Sequence, residues 1–200
     1  MTGIYLPDEG EICYGGIDIK GVSLASIIKN ISAVFQKYQR YQMTLRENIQ
    51  ISSVDMEAEE ATLDKVCAQA GIDKNENSFN NGYTTMLSRE FDGVDLSGGQ
   101  WQRVAIAWGY FRPHQLIVLD EPTAAIDPIE ETKIYKRFSE ISKEKTAVIV
   151  THRLGSVKLA DKILVMKQGR LVEQGTHAAL LNANGEYSRL YMSQEQWYKG

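Results

Sequence analysis

Leu96-Ser97-Gly98-Gly99-Gln100 introduces an apolar helical pattern, and Leu116-Ile117-Val118-Leu119-Asp120-Glu121 follows it. A third stretch, Val148-Ile149-Val150-Thr151-His152, comes further on. Ser97 is a natural helix cap, and the helix it opens runs to about Phe111, with Pro113 just beyond. Residues 116–120 and 146–150 are short, β-branched and continuously apolar, the pattern of buried strands in a parallel sheet. Glu130 to Lys143 has helical periodicity between them, so 116–150 reads as one βαβ unit. Ligands bind at the carboxyl edge of such a sheet.

Working outward, Pro7-Asp8-Glu9-Gly10 and Gly15-Gly16 punctuate residues 1–20 as turn, strand, turn and strand. Ile31 to Phe35 is a short apolar strand, and the polar, aromatic stretch from Gln36 to Gln42 suits a loop. Asp55 to Ala70 reads as an amphipathic helix closed by Gly71, and 72–95 reads mostly as loop. Ile163–Met166 and Arg170–Glu173 form a hairpin around Gln168-Gly169, and His177–Asn182 and Glu186–Trp197 are helices.

Composition narrows the function class. The chain has 200 residues, 43% hydrophobic and 24% charged, as in an ordinary globular protein. Its formal charge is 22 − 26 = −4, with no long basic run, so nucleic acid gains no electrostatic foothold. Cys13 and Cys67 form no C-x-x-C, and reduced thiols fit them best. No apolar run approaches the roughly 18–20 residues of a membrane helix.

The chemistry lies at the element ends. Asp120 and Glu121 close an apolar strand where burying either acid is costly, which suits a site. The first can hold Mg²⁺ as a hard oxygen ligand, and the second can orient or deprotonate a water. Read alone, the pair fits equally well a strand ending at a polar turn. Ser97, Gly98, Gly99 and Gln100 open a helix whose free N–H groups favour an anion. The glycines let backbone approach a phosphate closely. His152 can donate to a phosphate oxygen, and the Gln36 side-chain oxygen can meet Mg²⁺ or water. Taken alone, a histidine at a strand end is more often structural, and a lone glutamine says almost nothing.

Taken together, Gln36, Leu96–Gln100, Asp120-Glu121, Ala125-Ile126-Asp127 and His152 resemble the nucleotide-binding domain of an ABC-type ATPase over essentially the whole chain. The resemblance implies an α/β fold: a P-loop NTPase-like parallel sheet core over 1–36 and 113–200, with an inserted helical subdomain carrying the signature at 37–112. It implies ATP and Mg²⁺ as cofactors, with Asp120 and Gln36 near the metal. Glu121 would polarise the hydrolytic water, and His152 would steady the terminal phosphate. Ser97, Gly98, Gly99 and Gln100, with Asp127 of the D-loop, would serve nucleotide in a head-to-tail dimer with a second such domain. Arg89-Glu90-Phe91, Gly175-Thr176-His177 and the run from Tyr41 to Ile49 look like the exporter branch, similar to bacterial peptide and lantibiotic exporters. The implied partner is therefore an exporter transmembrane domain, reached at the cytoplasmic face of the membrane through Lys37 to Tyr41, with no nucleic acid.

One part is absent. No glycine among the 200 residues is followed by lysine, so G-x-x-x-x-G-K-[ST], the phosphate loop, does not occur. Met1 to Pro7 looks like the end of the helix that follows that loop in the family. The expectation is a domain lacking the N-terminal strands and phosphate loop, with strand edges left unpaired. Alone, it would bind ATP weakly and hydrolyse it negligibly. Trp108 stands where the family usually has arginine. Two other readings are a module that donates its signature in trans without hydrolysing, and an ABC ATPase outside transport.

Overall fold

The computed structural model describes residues 5–123, 126, 128–153 and 157–199. Its centre is a parallel sheet of β3 (Ile31–Val34), β4 (Leu116–Asp120) and β5 (Thr146–Val150), in that order. Before it come a small hairpin, β1 (Cys13–Tyr14) and β2 (Ile17–Asp18), and a short helix, α1 (Leu24–Lys29). The hairpin turns at Gly15-Gly16, both at positive φ, as the glycine pair foretold. Ile19, Ile27, Ile31 and Leu116 join these pieces to the sheet in one apolar cluster.

Four helices build the largest core on the sheet: α2 (Leu45–Gln50), α3 (Glu60–Ala70), α4 (Gly98–Phe111) and α5 (Pro128–Ile141). α4 begins where its sequence says it should. The Ser97 hydroxyl accepts from the Gln100 N–H, and the Gln100 side chain accepts from the Ser97 N–H, a reciprocal cap. α4 lies close on β3 because Gly109 lacks a side chain: a Cβ there would stand 2.7 Å from Val34 Cγ2. The Ser32 hydroxyl, buried at the same contact, donates to the Gly109 carbonyl at 2.9 Å.

Two expectations are corrected. The helix expected from Asp55 starts at Glu60 instead. Met56 N–H turns back onto Ser53, and Arg46 Nη1 takes the Ala58 carbonyl at 3.1 Å, so that backbone is committed to turns. β5 was expected to be buried, yet its ends are exposed and its middle is half-buried. The physical reason is that, among the described strands, β5 pairs with β4 on one side and with nothing on the other.

The chain closes with β6 (Ile163–Lys167), β7 (Arg170–Gly175), α6 (His177–Asn182) and α7 (Glu186–Lys199). Gln168 and Gly169 turn the antiparallel β6–β7 hairpin at positive φ. Ile163, Val165, Leu180 and Tyr187 form its own core. Glu173 caps α7, accepting from the N–H groups of Glu186 and Tyr187 at 2.6 and 2.9 Å. The other side of this hairpin exposes Leu164 and Met166. No helix among the described residues is long and apolar enough to cross a membrane.

His114 sits buried just before β4, its Nδ1–H donating to the Arg112 carbonyl at 2.7 Å while Lys145 approaches Nε2. Burial pushes its pKa down, and the nearby Lys145 charge adds to that shift against the raising effect of the Arg112 carbonyl. The unfolded chain therefore takes up this proton at a higher pH than the folded one. Stability is expected to be full above the ordinary histidine pKa of about 6.5 and to fall as pH drops below it. Thermal midpoints measured from pH 7.5 to 5.5 should show this slope, and His114→Gln should flatten it. An equal slope in both proteins would refute the assignment.

Candidate functional site: a shared carboxylate at the strand ends

Register decides what meets at the carboxyl edge of the sheet. Val34 of β3 lies beside Leu119 of β4, and Asp120 lies beside Val150 of β5. The residues just beyond each strand therefore converge: Gln36, Glu121 and His152. Glu121 is the centre. Gln36 Nε2 donates to Glu121 Oε2 at 2.7 Å, and His152 Nδ1 donates to Glu121 Oε1 at 2.8 Å. Three residues far apart in the chain thus meet on one carboxylate. The imidazole must carry its proton on Nδ1 here, because a carboxylate only accepts.

Glu121 occupies an unusual backbone conformation, with φ +46°. A non-glycine residue in the left-handed region costs on the order of 1–3 kcal/mol and persists only where its surroundings hold it. Its N–H donates to Val150 O at 2.9 Å, and its carbonyl accepts from Gln102 Nε2 at 3.2 Å. Asp120 ends β4 beside it, partly exposed, and among the described residues its carboxylate takes no hydrogen bond. The Asp120 carboxylate and the Gln36 amide oxygen that the bond to Glu121 leaves free are the oxygen donors that suit Mg²⁺, which needs one or two protein oxygens beside phosphate and water. Among the described residues there is no cluster of three or more His, Cys, Asp or Glu side chains that would cage a metal by itself.

The signature residues do not touch that carboxylate. The Gln100 amide donates to Ser78 at 2.7 Å while its oxygen caps Ser97. The Tyr38 hydroxyl donates to the Gly98 carbonyl at 3.3 Å, linking the loop after Gln36 to the start of α4. Trp108 stacks edge-on to Tyr38, with ring centroids 6.2 Å apart, and tilts against Tyr41 at 5.7 Å. It borders a cavity of about 230 Å³ lined also by Ser32, Ile51, Ser52 and Arg112. Asp127 lies outside the described residues.

Four participants were not anticipated from the sequence. Gln102 holds the Glu121 peptide. Arg153 pairs with Glu131, a buried acid, at 2.8 Å and also donates to the Ile126 carbonyl. Thr123 donates to the same Glu131 at 3.1 Å. This ion pair fastens the segment after His152 to the one around Ile126. Its only sequence trace was a basic residue after His152 and an acid in the first turn of α5.

A family model described as ABC transporter matches residues 1–124, more than half of the chain. The chain belongs to the ABC transporter family. Its relatives include the subtilin transport ATP-binding protein SpaT of Bacillus subtilis, 39% identical over 95% of this chain and 31% of that protein. The nisin transport ATP-binding protein NisT of Lactococcus lactis subsp. lactis is 35% identical over 98% of this chain and 33% of its own length. A solved structure of a bacterial Atm1-family ABC exporter with ATP bound superposes with TM-score 0.86 at 32% identity, covering 96% of this chain and 33% of that one. The chain thus spans about a third of the length of these ABC relatives, and its fold is the ABC ATPase form of the P-loop NTPase sheet.

Proposed function

We propose that the chain supplies the ATP-hydrolysing part of an ABC exporter. The observation that carries this is the convergence of Gln36 and His152 on the Glu121 carboxylate, at the edge of a parallel sheet and beside Asp120. A module that only donated its signature to another domain would have no chemical need for that set.

Asp120, with the oxygen of Gln36, would hold Mg²⁺, which neutralises phosphate charge when bound. Glu121 orients a water and accepts its proton. Both of its oxygens are engaged in the arrangement seen here, so one of its two partners must let go before a water can be served. His152, 66% exposed at its side chain, can turn to a terminal phosphate. Ser97, Gly98 and Gly99 present a capped helix start to nucleotide held by a second such domain, with Gln100 keeping the cap closed. Asp127, by its match to the family's D-loop, would serve the same dimer.

The partners in this reading are that second domain and an exporter transmembrane domain at the cytoplasmic face of the membrane. Relatives that transport subtilin and nisin support a peptide-type cargo. Residues 37–112 would form the helical subdomain between the two core segments. Because no phosphate loop occurs among these residues, ATP should bind weakly to the 200-residue chain by itself. Phosphate release should be negligible from the chain alone and Mg²⁺-dependent once an in-frame upstream G-x-x-x-x-G-K-[ST] segment is joined to it. Equal release with and without that segment would overturn the proposal, as would none in either case.

A further inference from the structure

The geometry points to Gln102 as a positioning residue that holds the Glu121 carboxylate in place through its main chain. This inference rests on the reading that Glu121 serves ATP hydrolysis. Glu121 is strained at φ +46°, and relaxation toward an ordinary φ would swing its side chain away from Gln36 and His152. Two bonds oppose that relaxation. One is the sheet-like bond of its N–H to Val150, which β5 offers to any residue at this place. The other comes from a chosen side chain: Gln102, only 3% exposed, whose amide donates to the Glu121 carbonyl at 3.2 Å.

The source of that side chain gives the bond its meaning. Gln102 lies on α4, in the turn after the reciprocal cap of Ser97 and Gln100. Val104, Ala105, Ile106 and Ala107 on the same helix are fully buried, so Gln102 projects from a helix packed firmly into the core. Gln102 therefore ties the signature end of α4 to the peptide carrying the carboxylate of the same domain. A displacement of α4 relative to β4 would lengthen the bond and free the strained peptide.

The test uses three substitutions in the ATP-hydrolysing exporter subunit that carries these residues. Gln102→Met keeps length without a donor. Gln102→His keeps an N–H at similar reach. Gln102→Glu keeps shape but replaces the amide donor with an acceptor, and stands in if the methionine variant does not fold. The expected result is a fall in kcat of about 10- to 100-fold for the methionine or glutamate variant, with KM for ATP unchanged. The histidine variant should recover most of the rate. Amide exchange on the 200-residue chain supplies a second reading: the Glu121 N–H should exchange faster in the methionine variant and at the parental rate in the histidine variant. The amides of Ala105–Phe111 should stay protected in both.

Parental kcat in the donor-less variant would overturn the inference, as would a histidine variant as slow as the methionine one. If the parent subunit hydrolyses no ATP, the proposed function fails, and the exchange measurement still decides. Unchanged Glu121 exchange on loss of the donor would then overturn the role of Gln102.

Discussion

Replacing Glu121 with glutamine in the ATP-hydrolysing subunit is expected to lower kcat by about 10²- to 10⁴-fold, the usual contribution of a positioned general base. The substitution keeps size and shape but removes one of two acceptor oxygens and the capacity to take a proton. In the present geometry Gln36 and His152 each donate to a separate oxygen of Glu121. A glutamine can accept only one of these bonds well, so one donor loses its partner. ATP affinity should change little, because the glutamate is assigned to water and not to the phosphates. Steady-state phosphate release and equilibrium nucleotide binding, measured on the same preparation, separate these effects. Near-parental turnover in Glu121→Gln would mean that another group activates the water.

The largest effect on stability is expected at Ile106. It is 0% exposed on α4, within the cluster that joins the sheet to α2, α3 and α5. Truncation to alanine removes buried methyl and methylene groups and leaves a cavity that close-packed neighbours fill poorly. The cost should be about 2–5 kcal/mol. At roughly 2–4 °C per kcal/mol for a chain of this size, the thermal midpoint should fall by on the order of 10 °C. Leu190→Ala is the control, since that side chain is exposed on α7 and should change stability by about 0.5 kcal/mol or less. Equal midpoints for Ile106→Ala and Leu190→Ala would contradict the packing described.

What could be read from the sequence follows physical locality. α4 was legible at both ends, because Ser97 and Gln100 cap within one turn and Pro113 stops the helix nearby. The meeting of Gln36, Glu121 and His152 follows from parallel strands that bring their ends together, whereas the roles read for these residues rest on the family resemblance. α2 was not identified as a helix. It has six residues, too few for periodicity, although Thr44 and Glu47 form a complete capping box. Its stability comes from burial of Leu45 and Ile49 and from the Asn48 amide, which donates to the carbonyls of Tyr41, Met43 and Thr44.

β5 shows the opposite case. Its apolar run predicted a strand correctly, but an apolar run does not say whether a neighbour lies on the second side. Gln102 and Arg153 were invisible for a related reason. Which carbonyl or carboxylate a long polar side chain meets is set by packing between elements distant in sequence. Trp108 stood out as a departure from the family pattern, and its packing against Tyr38 and Tyr41 accounts for the bulky ring without a carboxylate partner.

The most direct test of the central claim is the nucleotide recovered with Glu121→Gln after incubation with Mg²⁺ and ATP and rapid desalting. If Glu121 is the carboxylate that activates water, the variant retains ATP intact, while the parent retains ADP or nothing. ADP recovered from the variant in the parental amount would contradict the account.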